Sequence, residues 1–314
     1  MITVRAPDGA PEVGPGDDLA GIVAELFELA DGDIVTVTSK VVSKAEGRVR
    51  QGTREEALPG ETQRVVARRG PTTIVRTRHG LTLAAAGIDA SNVAPGTVVL
   101  LPEDPDASAR AIRESLLART GRNVAVLVTD TAGRAWREGQ TDIAIGAAGL
   151  RVLVDLAGSV DAHGNELAVT APAVGDELAG AAELAQGKLA ARPFAAVRGR
   201  ADLVLAPGDH GTGAAGLVRP DGADLFGYGA REAVIRALRG EEQDRAAFGA
   251  PSEPDELAAA IRTVVPDASV AVEDDSLVVS GGESRTIAAV AFAFGWRPVD
   301  APGADDLRFR PSTP

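Results

Sequence analysis

Short apolar runs alternate with segments of helical periodicity along most of the chain, and this pattern predicts strands interleaved with helices. The clearest helix is predicted over 105–120, because Asp104 can cap it, Pro105 takes its first position and Gly121 follows its last turn. Further helices are predicted over 19–30, 61–69, 177–189, 230–238, 256–264 and 286–294. Apolar and β-branched runs predict strands over 2–5, 34–38, 73–76, 81–84, 98–101, 124–128, 143–145, 152–156, 194–197, 203–205, 269–272 and 277–279. Because helices and strands mix without strict βαβ alternation, we predict an α+β fold rather than a doubly wound sheet.

Two domains are predicted from the change in composition near the C-terminus. The stretch 241–254 is charged and contains proline, which is typical of a linker. Residues 251–314 carry 11 acidic residues and 5 arginines, and they are more acidic than the rest of the chain. We therefore predict a main domain over 1–245 and a small acidic α+β module over 251–314.

Composition excludes several classes of site. The 314-residue chain contains no cysteine, which rules out disulfides, zinc–thiolate centres and thiol catalysis. Its formal net charge of −13 argues against nucleic acid as a partner. We expect a cytoplasmic protein without membrane contact, because no apolar run suits a membrane helix and no leader is evident.

Polar residues crowd the stretch 129–142, directly after the apolar run 124–128. We interpret this stretch as a loop at the carboxyl end of a buried strand, where ligands often bind in α/β sheets. Asp130 and Thr131 are candidate metal ligands, and Asp89 from a distant segment is a second carboxylate for the same site. The alternatives are that Asp130 caps a turn and that Asp89 with Asn92 forms an Asx turn.

A strand predicted over 34–38 runs directly into Ser39, Lys40, Ser43 and Lys44. A helix beginning near Ser39 would place both lysines on one face, where they could bind phosphate. The alternative is an ordinary helix with two solvated lysines. No P-loop pattern occurs in the chain.

Together these motifs resemble the coenzyme F-420 γ-glutamyl ligases, which add L-glutamate to a glutamate-free deazaflavin precursor using GTP. Four blocks carry the resemblance: PGDDL at 15–19, VTSKVVSKAEGR at 37–48, LPEDPDAS at 101–108, and TDT at 129–131 with GQTD at 139–142. Shorter matches lie at 91–93 and 175–178, and the resemblance spans about 1–240.

The resemblance implies a role for each candidate residue. It implies GTP contacts from Ala10, Pro11, Glu12, Val13, Ser39, Lys44 and Asn92. It implies one divalent cation, Mg or Mn, on Asp89 and Asp130, and a second on Thr131. Lys44 and Asp130 would be catalytic, and a potassium ion is a further expected cofactor. It also implies a mixed-sheet α+β fold of the ligase type and a homodimer.

The implied reaction converts the substrate carboxylate to an acyl phosphate, which the amine of glutamate then attacks, and GDP and phosphate are released.

Ala10 and Glu138 depart from the family pattern, which commonly has a larger aliphatic residue at the first position and an Asn at the second. Some relatives carry a fused flavin-binding, nitroreductase-like domain, for which the residues after 250 are too few, so we expect no flavin. Two alternatives stay open: an amide ligase for another carboxylate acceptor, and a non-catalytic nucleotide-sensing scaffold.

Overall fold

The structure, a computed structural model, describes residues 1–91, 93–273, 275–299 and 306–312. It divides into two compact units, Met1–Arg64 with Ile74–Val218, and Val65–Thr73 with Arg219–Pro314. The predicted boundary at 245–251 lies within the second unit, and the predicted roles of the two domains stay predictions.

Residues 1–218 contain five α-helices and ten strands among the described residues. The helices are α1 (Leu19–Leu26), α2 (Ser39–Ala45), α3 (Arg54–Glu61), α4 (Pro105–Thr120) and α5 (Val174–Gln186). The strands are β1 (Thr3–Arg5), β2 (Ile34–Thr38), β3 (Val49–Gln51), β4 (Thr62–Arg69), β5 (Thr72–Thr77), β6 (Thr82–Ala84), β7 (Thr97–Val99), β8 (Ala125–Gly133), β9 (Gln140–Ala148) and β10 (Phe194–Arg198).

The main sheet has the strand order β1-β10-β2-β8-β9. Only β2 and β8 run parallel within it, and the other neighbours are antiparallel. Smaller sheets pair β3 with β7 and join β4, β5 and β6. The predicted α+β class with a mixed sheet is confirmed, whereas the ligase-type fold stays a prediction.

Two apolar layers cover the faces of the main sheet. Alternate residues of β2 and β8, such as Val35 and Val126, pack with α1 and α4 in one cluster. The intervening residues, such as Ile34 and Leu127, pack with α5 in the other. Because both faces are covered, these strands are nearly continuous apolar runs, and such runs allow their positions to be predicted from the sequence.

Helix α4 has the predicted bounds and the predicted signals. The Asp104 side chain accepts a hydrogen bond from the Ala107 amide at 3.0 Å, and Pro105 occupies the first turn. Gly121 ends the helix in the left-handed conformation with φ 67°.

Several predicted elements were wrong. The helix predicted over 61–69 is strand β4, and the real helix α3 precedes it, opened by a capping box between Thr53 and Glu56. The helix predicted over 19–30 ends at Leu26. The linker predicted over 241–254 contains the 3₁₀ helix Glu242–Phe248, and no strand forms over 152–156 or 203–205. Local propensity is a weak prior that tertiary packing overrides in these segments.

The most consequential correction concerns β8, which does not end at Val128. It continues to Gly133 and pairs with β9 from Val126↔Ala148 to Gly133↔Gln140, with an irregularity at Val128/Thr129. The polar stretch is therefore a β-hairpin rather than a loop, so strand geometry fixes the direction of each of its side chains.

The second unit holds its own small core. Its helices are α6 (Ala230–Arg239), α7 (Pro254–Val264) and α8 (Ser284–Ala293), and its sheet joins β11 (Ser269–Glu273), β12 (Ser276–Ser280), β13 (Trp296–Val299) and β14 (Leu307–Pro311). The strand order is β11-β12-β14-β13, all antiparallel, and the core includes Leu257, Leu277, Trp296 and Phe309. The predicted hairpin β11–β12 is confirmed.

No helix in the part of the chain that the structure describes is both long and apolar enough to cross a membrane.

Candidate functional site

Strand β8 presents Asp130 and Thr131 to opposite faces of the sheet. Successive side chains of a strand alternate in direction, whereas residues directly opposite on antiparallel strands share a face. Thr131 lies opposite Asp142 of β9, and Asp130 lies opposite Ile143. The two predicted metal ligands are therefore adjacent in sequence but belong to two separate groups of side chains.

Asp130 lies beside the start of α2. Because β2 is parallel to β8, with Thr38 paired to Thr129, the first residue after β2 reaches the same edge as Asp130. The Ser39 hydroxyl donates a hydrogen bond to Asp130 Oδ1 at 2.8 Å. The parallel pairing of β2 with β8 thus brings the start of α2 into contact with Asp130.

The Asp130 carboxyl is in an unfavourable environment for negative charge. Burial raises its pKa, and the nearby carboxylates of Asp142 and Asp89 raise it further, to about 6, against the hydrogen bonds from Ser39 and from the Thr131 amide. Within the described residues, no lysine or arginine lies within ion-pair distance of Asp130. A cation in this position would remove the cost of the charge.

Asp89 is surrounded by cationic and hydrogen-bonding groups. Lys40 Nζ lies 2.6 Å from Asp89 Oδ2, and Arg54 Nη2 lies 3.5 Å from Oδ1. The Ser91 amide and hydroxyl both donate to the carboxylate, at 2.9 and 2.8 Å. Burial alone would raise the pKa of Asp89, but the hydrogen bonds from Lys40 and Ser91 outweigh it and lower the pKa to about 2. Asp89 therefore accepts a turn hydrogen bond from the Ser91 amide and, as an ionised carboxylate, also pairs with Lys40.

On the other face of β8, Thr131 belongs to a network of polar side chains around Asp142. The Thr131 hydroxyl donates to Asp142 Oδ1 at 2.7 Å, and Asp142 is almost fully buried. Lys188 Nζ lies 2.5 Å from Thr131 Oγ1, 3.1 Å from Asp142 Oδ1 and 3.0 Å from Glu183 Oε1. Asp142 therefore has the ion-pair partner that Asp130 lacks.

Sequence reasoning did not assign Asp142, and it missed Lys188 and Glu183. The hairpin register would have revealed Asp142, since counting from the tip places it opposite Thr131. Lys188 follows the end of α5 and is far from Asp142 in sequence, so no local motif marks it.

A cleft of about 210 Å³ lies next to Lys44 of α2. It is lined by Glu12, Val13, Gly14, Pro15, Lys44, Val49, Val93, Ala94 and Thr97. Three predicted nucleotide contacts, Glu12, Val13 and Lys44, are thus brought together, and Lys44 Nζ lies 2.5 Å from Glu12 Oε1.

The other predicted nucleotide contacts lie elsewhere. Ala10 packs against the core beneath α1, Pro11 is exposed, and Ser39 contacts Asp130 rather than lining the cleft. Asn92 falls outside the described residues, although its neighbour Val93 lines the cleft.

The hairpin tip carries the remaining polar residues of the motif. Trp136 is 86% exposed and has a left-handed backbone with φ 63°. The Arg134 guanidinium donates a hydrogen bond to the Glu138 carbonyl at 2.7 Å, and this bond connects the two sides of the tip.

The donor set fits a hard divalent cation. Asp89, Asp130 and Thr131 offer only oxygen atoms, which Mg²⁺ and Mn²⁺ prefer. Among the described residues, no three acidic or histidine side chains converge on one point. This arrangement resembles Mg²⁺ sites in which one or two carboxylates act together with substrate phosphates and water.

Comparison with known proteins covers this same region. A family model described as F420-0:gamma-glutamyl ligase matches residues 9–61 and 54–199, which include every site residue named above. The coenzyme F420:L-glutamate ligase of Methanopyrus kandleri is 44% identical over 197 residues, covering 56% of this chain and 78% of that protein. The protein of the same name from Archaeoglobus fulgidus is 38% identical over 208 residues, covering 60% and 83%. The chain therefore belongs to the F420-0:gamma-glutamyl ligase family.

Proposed function

We propose that the chain is a GTP- and metal-dependent ligase that adds L-glutamate to the glutamate-free precursor of coenzyme F-420. Family membership and the names of the relatives support the ligase activity and the substrates. The observation that carries the proposal is the partly buried carboxyl of Asp130, which accepts a hydrogen bond from Ser39 and has no basic partner among the described residues. Ser39 and Asp89 are each close in sequence to residues that line the cleft with Lys44.

The cleft is the proposed binding place of the nucleotide. Lys44 supplies an ammonium for the phosphates, and Glu12 holds that ammonium in the free chain. Binding of a triphosphate exchanges one anionic partner of Lys44 for another. Ser39, which contacts Asp130, and Asn92 are further proposed contacts of the nucleotide.

Asp89 and Asp130 are the proposed ligands of one divalent cation, and Thr131 is the proposed ligand of a second. A bound divalent cation would neutralise the phosphates and allow an anionic carboxylate to approach them. The two carboxylates would hold the cation in place. Lys40 neutralises part of the negative charge of Asp89.

The proposed reaction has two steps. In the first, an oxygen of the substrate carboxylate attacks the γ-phosphorus of GTP, and the bond to the β-phosphate oxygen breaks, so an acyl phosphate and GDP form. In the second, the amine of glutamate attacks the acyl carbon, the carbon–oxygen bond to phosphate breaks, and the amine loses its proton. Lys44, which lines the cleft, is the proposed group that stabilises the negative charge on the transferred phosphate.

The test is a ligation assay with the purified chain, the deazaflavin precursor, L-glutamate, GTP and Mn²⁺, read by mass spectrometry. We expect a product heavier than the precursor by one glutamyl residue, with GDP formed in equal amount. Absence of this product across nucleotides and divalent metals contradicts the proposal. GTP turnover with a different acceptor acid would instead identify a related amide ligase.

The homodimer expected from the resemblance stays a proposal, which light scattering of the purified chain tests. A second round of ligation, onto the first product, is tested in the same mass spectra.

A further inference from the structure

The chain contains only three lysines, Lys40, Lys44 and Lys188, against 29 arginines. All three lie in the candidate site, and each ammonium contacts a carboxylate there: Asp89, Glu12 and Asp142, respectively. Outside the site, every lysine-or-arginine position is therefore an arginine, and lysine occurs only within the site. Lys40 and Lys44 have roles in the proposed function, whereas Lys188 has none.

The position of Lys188 resembles that of a bound cation. Its ammonium nitrogen contacts three oxygens from three separate elements, Thr131 Oγ1 on β8, Asp142 Oδ1 on β9 and Glu183 Oε1 on α5, at 2.5 to 3.1 Å. An ammonium is a compact point charge with three donors, so one ammonium can contact all three oxygens at once. The lysine side chain itself is 57% exposed, so the ammonium reaches the oxygens from the solvent side.

Lys188 also explains why the two faces of β8 differ in charge. Asp142 is buried and paired to Lys188, whereas Asp130 is without a basic partner in the described residues. Two cations that share the same carboxylate oxygen repel each other strongly at such short range. A divalent ion on Thr131 and the ammonium of Lys188 are therefore alternatives.

We propose that Lys188 is an internal counter-ion of the site, and that its ammonium competes with a divalent cation for the oxygens of Thr131 and Asp142. The inference rests on the proposed function for the presence of a cation at Thr131. Lys188 thus acts as a positioning residue: it holds the oxygens together in the free chain and weakens the binding of a metal to them.

The test measures Mn²⁺ binding to the full chain without substrates, from the electron paramagnetic resonance signal of free Mn²⁺. Lys188→Met removes the charge and keeps the length of the side chain. We expect it to bind Mn²⁺ about tenfold more tightly than the wild type. Lys188→Arg keeps a positive charge beside Asp142, and we expect it to stay within about threefold of the wild type.

Two control variants locate the effect. Lys44→Met removes an ammonium from the cleft but not from Thr131, and we expect it to change Mn²⁺ affinity by no more than about twofold. Adding Asp142→Asn to Lys188→Met removes the carboxylate for which metal and ammonium compete, so the gain should disappear. Thermal melts check that each variant folds. We expect the Lys188 variants to fold, because the Lys188 side chain is largely exposed.

Equal Mn²⁺ affinity in Lys188→Met and wild type overturns the inference, as does an equal gain in Lys188→Arg or a gain that persists with Asp142→Asn. The ligation assay of the wild type decides the proposed function separately. An active wild type with no affinity gain in Lys188→Met refutes only the role of Lys188. An inactive wild type whose Lys188→Met variant gains affinity refutes only the ligase.

Discussion

Asp130 and Thr131 are adjacent in the chain, yet their side chains lie in opposite electrostatic surroundings on the two faces of β8. On one face, Asp130 accepts a hydroxyl hydrogen bond from Ser39 and lies near two other carboxylates, with no cation paired to it in the described residues. On the other face, Thr131 and the buried Asp142 share the ammonium of Lys188. The chain therefore pairs Asp142 with one of its own lysines, whereas Asp130 has no such partner among the described residues.

Asp130 and Asp142 should also affect the stability of the fold differently. An unpaired buried carboxyl reduces the stability of the fold, and such costs are common at functional sites. A buried ion pair, in contrast, becomes costly when one partner is removed. The two faces should therefore respond in opposite ways to the same Asp→Asn substitution.

The largest effect is expected from Asp130→Asn. The amide keeps the shape but loses the charge that a metal requires, so ligation should fall by about a thousandfold. Because the substitution also removes an uncompensated charge, the metal-free protein should melt no lower than the wild type. The measurement is the ligation rate together with a thermal melt in chelator. A variant that keeps more than about a tenth of wild-type activity would show that Asp130 is not a ligand.

Asp142→Asn should have the opposite effect on stability. It leaves Lys188 without its buried partner and weakens the hydrogen bond from Thr131, so the free energy of unfolding should fall by about 1–3 kcal/mol. Denaturant unfolding of both Asp→Asn variants in chelator makes the comparison direct. If both variants are destabilised equally, the contrast between the two faces of β8 is wrong.

The pH dependence of stability should isolate Asp130. Its folded-state pKa of about 6 lies above the ordinary value of 3.8, so between these values the folded state binds more protons than the unfolded state. The free energy of unfolding of the metal-free wild type should therefore fall relative to Asp130→Asn as pH rises from about 4 to about 6. The full difference in pKa corresponds to a change of about 3 kcal/mol in the free energy of unfolding. Because Asp130 keeps some contact with solvent, we expect a change of about 1–2 kcal/mol. A pH-independent difference between the two proteins would contradict the raised pKa.

Metal binding should show the same titration, because a carboxylate must lose its proton to bind a cation. Mn²⁺ affinity of the wild type should weaken below about pH 6, and Asp130→Asn should lack this step.

The smallest effect is expected from Ser39→Ala, which removes the hydrogen bond to Asp130 Oδ1. That bond lowers the pKa of Asp130, so its loss should raise the pKa further and shift the pH profile of Mn²⁺ binding upward. Activity should fall by about three- to tenfold, in line with about 1 kcal/mol for one hydrogen bond. Ser43→Ala is the matched control, because the buried Ser43 hydroxyl in the same helix has no hydrogen-bond partner in the described structure. An equal shift in both variants would show that Ser39 acts only through packing.

Much of the fold could be predicted from local signals. The caps of α4, the apolar runs of β2 and β10 and the hairpin β11–β12 all depend on residues close together in sequence, and the structure agrees with them. The predictions failed where long-range pairing decides the structure. Strand β4 was predicted as a helix, and β8 was predicted to end where its apolar residues end, although pairing with β9 extends it through polar residues.

The candidate site divides in the same way. The chemical groups of the site can be read from the sequence: carboxyl and hydroxyl groups at 89 and 130–131, lysines at 40 and 44, no cysteine, and the motifs of a ligase family. How these groups are paired depends on the folded chain. The parallel alignment of β2 with β8 brings Ser39 to Asp130, and the antiparallel register of β9 brings Asp142 to Thr131. The end of α5 adds Lys188 from a distant segment. The physical reason is that charge compensation depends on distances of a few ångströms between segments far apart in the chain, and sheet register, rather than sequence spacing, sets those distances.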